Sequence, residues 1–332
     1  MFNETLKLIK SGVGTAYPGA AVAIGCKHKV FEKHIFGKRQ IKPTTLDLTN
    51  DTLFDIASLS KLVSTTFVAL KFIEEGKLSL QDNISKFLDY TGNYSDCKIK
   101  HLLTHTSGIP AWMPLFSMKI DKENALKTIL DSERQSKTGE KVDYSCMGYI
   151  VLQKILENIG GAPLDTLAQN YVFSPLKMNN TCYNPDKNKP IAATEWGSGS
   201  VHDENADFLG GVSGNAGVFT TLDDLILFAE MCSSNGITNS KEIYLKKETL
   251  QLAVKNHTPN HEESRGLGFK LIDNYYGHTG FTGTSLFIDK ETGLWGILLT
   301  NAVHFGRENK KEYLTLRKKI YDIMIKEFNE EK

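Results

Sequence analysis

The chain has 332 residues, with 39 Lys+Arg balancing 39 Asp+Glu, 40% hydrophobic and 23% charged residues. That is ordinary globular composition, and the length exceeds what one core usually fills, so about two domains are expected. A formal net charge of zero removes the long-range field of a nucleic-acid binder, and no apolar run approaches the roughly 20 residues of a membrane helix. The five cysteines (26, 97, 146, 182 and 232) are scattered without CxxC spacing. They point to a reducing compartment and away from a disulfide scaffold or a zinc site.

Phe2, Leu6 and Ile9 share one helix stripe, which Gly12 stops. Lys7 and Lys10 ahead of GVGTAYPGAAVAIGC imitate a lipoprotein leader ending at Cys26. Pro18 and the glycines break that apolar run, and VFEKHIFGK follows it, so the pair reads as two strands, 20–26 and 30–36, of a cytoplasmic protein. Residues 54–76, FDIASLSKLVSTTFVALKFIEEG, come next and are apolar nearly all round after Ser58. Such a helix is a buried one, and Gly76 ends it.

Between 78 and about 205 the pattern is helices and loops: a short helix in KIKHLLTHTSGIP, then helices at 124–132 and 147–159. GGVSGNAGVFTTLDDLILFAEMC opens as a Gly-rich loop, passes a short strand and enters a helix capped near Thr221, with Asp223 and Asp224 in its first turn. GLGFKLI, YYGHTGFTGTSLFID and GLWGILLTNA are three strand-like runs, and a last helix carries Leu316, Ile320, Ile323 and Phe328. The order predicts an α+β fold. An antiparallel sheet is built from both chain ends (1–77 and 206–332), flanked by the N- and C-terminal helices, with a mainly helical domain (78–205) inserted.

Ser58 and Lys61 stand three apart and share a helix face, at an N-terminus whose free N–H groups favour negative charge. Alone, a Ser-x-x-Lys arises by chance about once in a chain this long. The plain alternatives are an N-cap for Ser58 and a solvated first-turn position for Lys61. Two later motifs weigh against them. GEKVDYSCMGYIVLQKILENIGG places Tyr144 in a loop just before an amphipathic helix, and His278-Thr279-Gly280 sits on a strand whose glycines let another group approach the backbone.

With these motifs the chain resembles the penicillin-recognising serine hydrolases: class C β-lactamases, D-alanyl-D-alanine carboxypeptidases and related esterases. YPGAAVAIG, the Ser58–Lys61 helix, HLLTHTSGIP, the Tyr144 motif, GNAGVF, GHTGFTGT and GILLTN carry the resemblance over nearly the whole chain, in family order. The resemblance implies a β-lactamase/transpeptidase-like fold and an acyl-enzyme on Ser58, with Lys61, Tyr144 and His278 as its catalytic partners. The oxyanion hole is expected from the backbone N–H groups of Ser58 and Phe281. Cys146, Thr279, Gly280 and Asn215 are expected to meet substrate, and no metal or organic cofactor is needed.

Several matches are decoys. Lys137-Thr138-Gly139 lies in a polar turn without a strand. Tyr94-Ser95-Asp96 lacks the following helix, and Ser95-Asp96-Cys97 only imitates S-D-N. His101 and His105 have i,i+4 spacing without the Glu of a zinc-protease motif, which leaves a structural role for both.

Two departures bear on the substrate. Cys146 stands where the family usually has Asn or Asp, and a thiol is a poor donor and acceptor. His278 replaces the usual Lys of the third motif, so a fixed positive charge there is not assured. The leading expectation is therefore an esterase for short acyl chains, acting on a small ester or amide. A D-amino-acid peptidase, cell-wall-fragment carboxypeptidase or weak β-lactamase comes second, and a non-catalytic binding or scaffolding member of the same fold is the rival from another class. The expected partner is a small ester, amide or peptide, with neither nucleic acid nor membrane.

Overall fold

The computed structural model describes residues 1–331. Asn3–Ser11 (α1) leads into a hairpin of Gly19–Cys26 (β1) and Lys29–Gln40 (β2), and Leu46–Asp47 (β3) pairs with the end of β2. Phe54–Asp55 (β4) precedes one continuous helical run. It opens with a tight turn, Ala57–Leu59, widens to π-type turns over Lys61–Thr66, and settles into Phe67–Glu74 (α2). The middle of the chain supplies Ile99–Leu103 (α3), Ala125–Asp131 (α4), Cys146–Gly160 (α5), Leu164–Ala168 (α6), Cys182–Tyr183 (β5) and Glu204–Phe208 (α7). Val218–Thr220 (β6), Leu222–Ser233 (α8) and Lys247–Val254 (α9) follow. Lys270–Ile272 (β7), Tyr275–Gly280 (β8), Thr284–Asp289 (β9), Leu294–Thr300 (β10) and Lys310–Glu330 (α10) complete the fold. None of the described helices is long and apolar enough to cross a membrane.

The main sheet runs β3-β2-β1-β10-β9-β8-β7, every pairing antiparallel, so strands from both chain ends meet where β1 pairs with β10. Both faces of these central strands are buried, and the period of two sorts their side chains into separate cores. Ala20, Val22, Ile24, Leu294 and Leu298 pack with Phe2, with Ile9 of α1 and with Tyr313, Ile320 and Met324 of α10. Ala21, Ala23, Trp295, Ile297 and Leu299 face the opposite way, into a larger cluster with Leu62, Phe67, Phe228 and Ile155. Met324 takes the buried place on α10, whereas Ile323 is only half-buried. The apolar helix after Ser58 thus lies at the centre of the molecule, and Gly76, at φ 68°, follows its end.

YYGHTGFTGTSLFID, expected as one strand, is the β8–β9 hairpin. The pairing ends at Gly280↔Thr284, and the turn between them uses Gly283 at φ 113°. That conformation needs glycine, and the turn hydroxyls are held from outside: Thr282 Oγ1 donates to the Asp55 carbonyl (2.6 Å) and Thr284 Oγ1 to that of Ile56 (3.1 Å). A second sheet, β4-β6-β5, anchors the chain just before Ser58.

Candidate active site

Ser58 sits in the tight turn that opens the central helix, and buried polar groups shape that turn. Asp55 Oδ1 accepts the Ala57 N–H (2.8 Å) and Oδ2 that of His202 (2.6 Å). Burial raises the Asp55 carboxyl to about 6, against the pull of those two donors. The bond to Asp55 holds Ala57 at φ 45°, a left-handed conformation an alanine adopts only under constraint. On the other side β8 closes against the turn: a Cβ on Gly280 would stand 2.2 Å from the Ile56 carbonyl oxygen.

One turn on, Lys61 is fully buried. Its Nζ donates to Ser58 Oγ (3.0 Å), the Asn215 carbonyl (3.0 Å) and Cys146 Sγ (3.4 Å). Three N–H donors thus meet three acceptors, which suits an ammonium. Burial is the largest influence and lowers its pKa, but Cys146, Tyr144 and Asp203 together outweigh it and hold Lys61 above the ordinary lysine value.

Tyr144 enters from the loop before α5. Ser145 is the N-cap of that helix: its Oγ accepts from the Gly148 N–H (2.9 Å) and donates to the Pro110 carbonyl (2.7 Å). The helix therefore begins at Cys146, which places Sγ beside Lys61. His105 fixes the loop from beneath, its carbonyl accepting the Asp143 N–H (2.8 Å) and its Nδ1 the Ser145 N–H (3.0 Å). Its ring packs on Tyr144 with centroids 4.5 Å apart, and burial holds it well below the usual histidine range. The structural role expected of His105 is thus a specific one, and His101 Nδ1 likewise accepts the Lys98 N–H (3.1 Å) at the start of α3.

Lys61 Nζ lies 4.9 Å from the Tyr144 ring centroid, and the Arg265 guanidinium 5.3 Å. The buried Tyr144 hydroxyl neighbours Lys61 and Ser58 yet makes no hydrogen bond of good geometry. Burial raises its pKa, and the Lys61 charge only partly offsets this.

His278 projects from β8 toward Tyr144, with ring centroids 5.8 Å apart. Its Nδ1 lies 2.8 Å from the Thr279 carbonyl, which can only accept, so Nδ1 carries the proton. Burial, with Lys61 and Arg265 nearby, pushes its pKa to about 3. His278 is therefore neutral at pH 7 and supplies no charge to Tyr144.

These groups open onto a cleft of about 280 Å³ lined by Ser58, Tyr144, His278, Thr279, Gly280 and Phe281. Cys146 and Asn215 lie behind it. Asn215 is wholly buried, its carbonyl held by Lys61 and its amide donating to Asp203 Oδ2 (3.0 Å). Across the cleft stand Arg265, Lys270, Lys310 and Arg317, which the motifs did not signal. Arg265 is 4% exposed, bonds Glu263 through Nη2 (2.9 Å) and leaves Nε without a partner. The decoys lie elsewhere: Tyr94 is locked in the core with its hydroxyl on Ser132 (3.1 Å), and Thr138 binds Arg134 (2.8 Å). Among the described residues no group of three His, Cys, Asp or Glu is arranged to hold a metal.

Residues 7–318 match the protein family described as Beta-lactamase. The chain belongs to the β-lactamase family. It is thereby a serine hydrolase with the β-lactamase fold. An N-acetylmuramyl-L-alanine amidase of Bacillus subtilis (strain 168) is 28% identical over 358 residues, spanning 90% of this chain and 80% of the relative. The structure of EstCE1, a hydrolase with promiscuous acyltransferase activity, superposes with a TM-score of 0.77 at 22% identity, covering 96% of this chain and 97% of that one. A β-lactamase/D-alanine carboxypeptidase from Yersinia pestis gives a TM-score of 0.74 at 18% identity, covering 96% and 98%. The fold is common to these β-lactamase-like proteins, while their named activities differ.

Proposed function

We propose that the protein hydrolyses a small ester or amide through an acyl-enzyme on Ser58, and that esters are its better substrates. The observation that carries this is the placement of Lys61 Nζ 3.0 Å from Ser58 Oγ, with the unpaired Tyr144 hydroxyl beside both at the floor of an open cleft. Ser58 Oγ bonds to the substrate carbonyl carbon, and its proton passes to the Lys61–Tyr144 pair after that pair has lost one proton to solvent. The carbonyl oxygen, now an anion, takes hydrogen bonds from the N–H groups of Ser58 and Phe281; the close approach of Gly280 to Ile56 supports this by seating the end of β8 against the turn that carries Ser58. When the tetrahedral adduct collapses, the alcohol or amine departs with the proton. Water then attacks the acyl-enzyme, the same pair accepts its proton, and the acid leaves with Ser58 restored.

Cys146 supports the preference for esters. A thiol in van der Waals range of Lys61 offers weak hydrogen bonding where an amide side chain would hold a peptide carbonyl. The second reading, a peptidase or cell-wall-fragment carboxypeptidase, is favoured by Arg265. This buried guanidinium with a free Nε supplies the fixed positive charge that the neutral His278 lacks, and it suits a substrate carboxylate. Purified protein tested on p-nitrophenyl acetate, nitrocefin and a D-Ala-D-Ala peptide separates the two. Ester turnover well above the others supports the first reading, and preferential release of D-alanine replaces it with the second.

A further inference from the structure

The catalytic cleft does not end at its cationic wall. Lys270, Thr279, Leu314 and Arg317 line it and also line a second depression of about 310 Å³, so the two form one trough. The floor of the extension is the face of the sheet edge opposite His278. Lys270 pairs with Gly277, Ile272 with Tyr275, and Gly277 with Phe287, and directly paired residues share a face. Gly277 contributes no side chain there; a Cβ would stand 2.7 Å from the Phe287 ring. The opposite wall is a stripe of α10, Leu314, Arg317, Tyr321 and Ile325, at spacings of three and four. The buried stripe of the same helix, Tyr313, Ile320 and Met324, packs on β1 and β10. The sheet thus extends past the helix at its β7 edge and leaves an apolar face partly uncovered, with Ile272 42% and Leu314 46% exposed. Leu314 to Ile325 spans about 16 Å of helix.

We propose that this extension is a binding subsite for an unbranched apolar acyl chain, whose carbonyl end sits at Ser58. Continuity selects this occupant. Among the described residues the two depressions share the row Lys270, Thr279, Leu314 and Arg317, so a chain leaving the cleft in this direction passes onto the apolar surfaces of Ile272, Phe287, Tyr321 and Ile325, with Asp273 and the mutually paired Lys318 and Asp322 also lining the extension. The acyl group stays bonded to Ser58 until water releases it, so a trough that grips it acts through both halves of the reaction. The assignment rests on Ser58 being the nucleophile, and it goes further by naming the acyl class.

The test uses p-nitrophenyl acetate, butyrate and octanoate on the full protein, with Ile272→Glu and Ile325→Gln, two positions that line only the extension. A methylene fully removed from water is worth about a fourfold gain, and part of that is expected here. kcat/KM should rise at least about tenfold from acetate to octanoate. The two variants should lose most of that rise while turning over acetate within about twofold of the parent. Independently of catalysis, octanoate itself should bind the Ser58→Ala protein, and adding Ile272→Glu should weaken binding at least about fivefold. A flat chain-length series in protein that labels at Ser58 overturns the subsite while sparing the nucleophile. A rise that survives in both folded variants also overturns it. If Ser58 does not label, octanoate binding still decides: its absence, or indifference to Ile272→Glu, rejects the subsite.

Discussion

Gly280 and Ile56 are pressed together so closely that a Cβ on Gly280 would lie 2.2 Å from the Ile56 carbonyl oxygen and 2.1 Å from Thr284 Oγ1. The first atom is backbone and cannot swing aside. This contact sets the spacing between the end of β8 and the turn that carries Ser58, the two places from which the proposed oxyanion donors, the N–H groups of Ser58 and Phe281, would come. Gly280→Ala should therefore cost about 1–3 kcal/mol of stability, the usual range for overpacking. It should also lower kcat by at least about tenfold, because oxyanion donors lose effect quickly when displaced. Urea unfolding and ester turnover check the two effects separately.

His105 acts on Tyr144 through its neighbours. Its Nδ1 accepts the Ser145 N–H, and its carbonyl that of Asp143. His105→Ala leaves the Ser145 N–H buried without a partner, which costs about 1–3 kcal/mol. The expected kinetic signature is a fall in kcat with little change in KM, since the cleft walls stay in place. His105→Asn, which keeps an acceptor, should recover part of the loss, as steady-state kinetics on all three proteins would report.

The pH dependence follows from two buried groups. Tyr144 is raised by burial and Lys61 is held above its ordinary value, so near pH 7 the pair retains both protons and the singly deprotonated form that the proposed mechanism requires is scarce. kcat/KM should climb about tenfold per pH unit on the alkaline side and keep rising toward the ordinary tyrosine value of 10.0. His278, pushed down to about 3, should add no inflection between about pH 5 and 8. A pH–rate profile of the parent and of Tyr144→Phe tests both points; the variant should lose most of its turnover and the alkaline climb with it.

Much of this was legible in the sequence because the relevant signals are local. The buried helix announced itself by lacking a polar face, and the Thr221 cap by its following aspartates; Thr221 Oγ1 does accept the Asp224 N–H at 3.3 Å. Ser58, Lys61, Tyr144 and His278 carried recognisable motifs; Ser58, Tyr144 and His278 line one cleft, and the buried Lys61 joins them through its bond to Ser58. What stayed hidden depends on partners far along the chain. The β8–β9 turn was obscured because Phe281 and Thr282 read as strand residues, and only contacts to Asp55 and Ile56 fix the turn. α9 is a short amphipathic helix whose pattern did not stand out from the loops around it. Asn215 serves Lys61 with its backbone carbonyl, a role that no side-chain chemistry signals. Arg265 belongs to none of the motifs and reaches the cleft only through the fold.

On the second reading proposed above, Arg265 sets how far negative charge on a substrate matters. Arg265→Met keeps much of the side-chain volume and removes the guanidinium. KM for an ester bearing a carboxylate near the scissile bond should rise about tenfold or more, the scale of one charge-assisted pairing. A neutral ester should lose much less. Equal effects on both would remove Arg265 from charge recognition.

The most direct measurement of the central claim is covalent labelling by a fluorophosphonate, followed by peptide mass spectrometry. One adduct is predicted, on Ser58, absent from Ser58→Ala and slowed in Lys61→Ala and Tyr144→Phe. Hydrolysis of p-nitrophenyl acetate should fall to background in Ser58→Ala. An adduct on another residue, or equal turnover by Ser58→Ala, would contradict it.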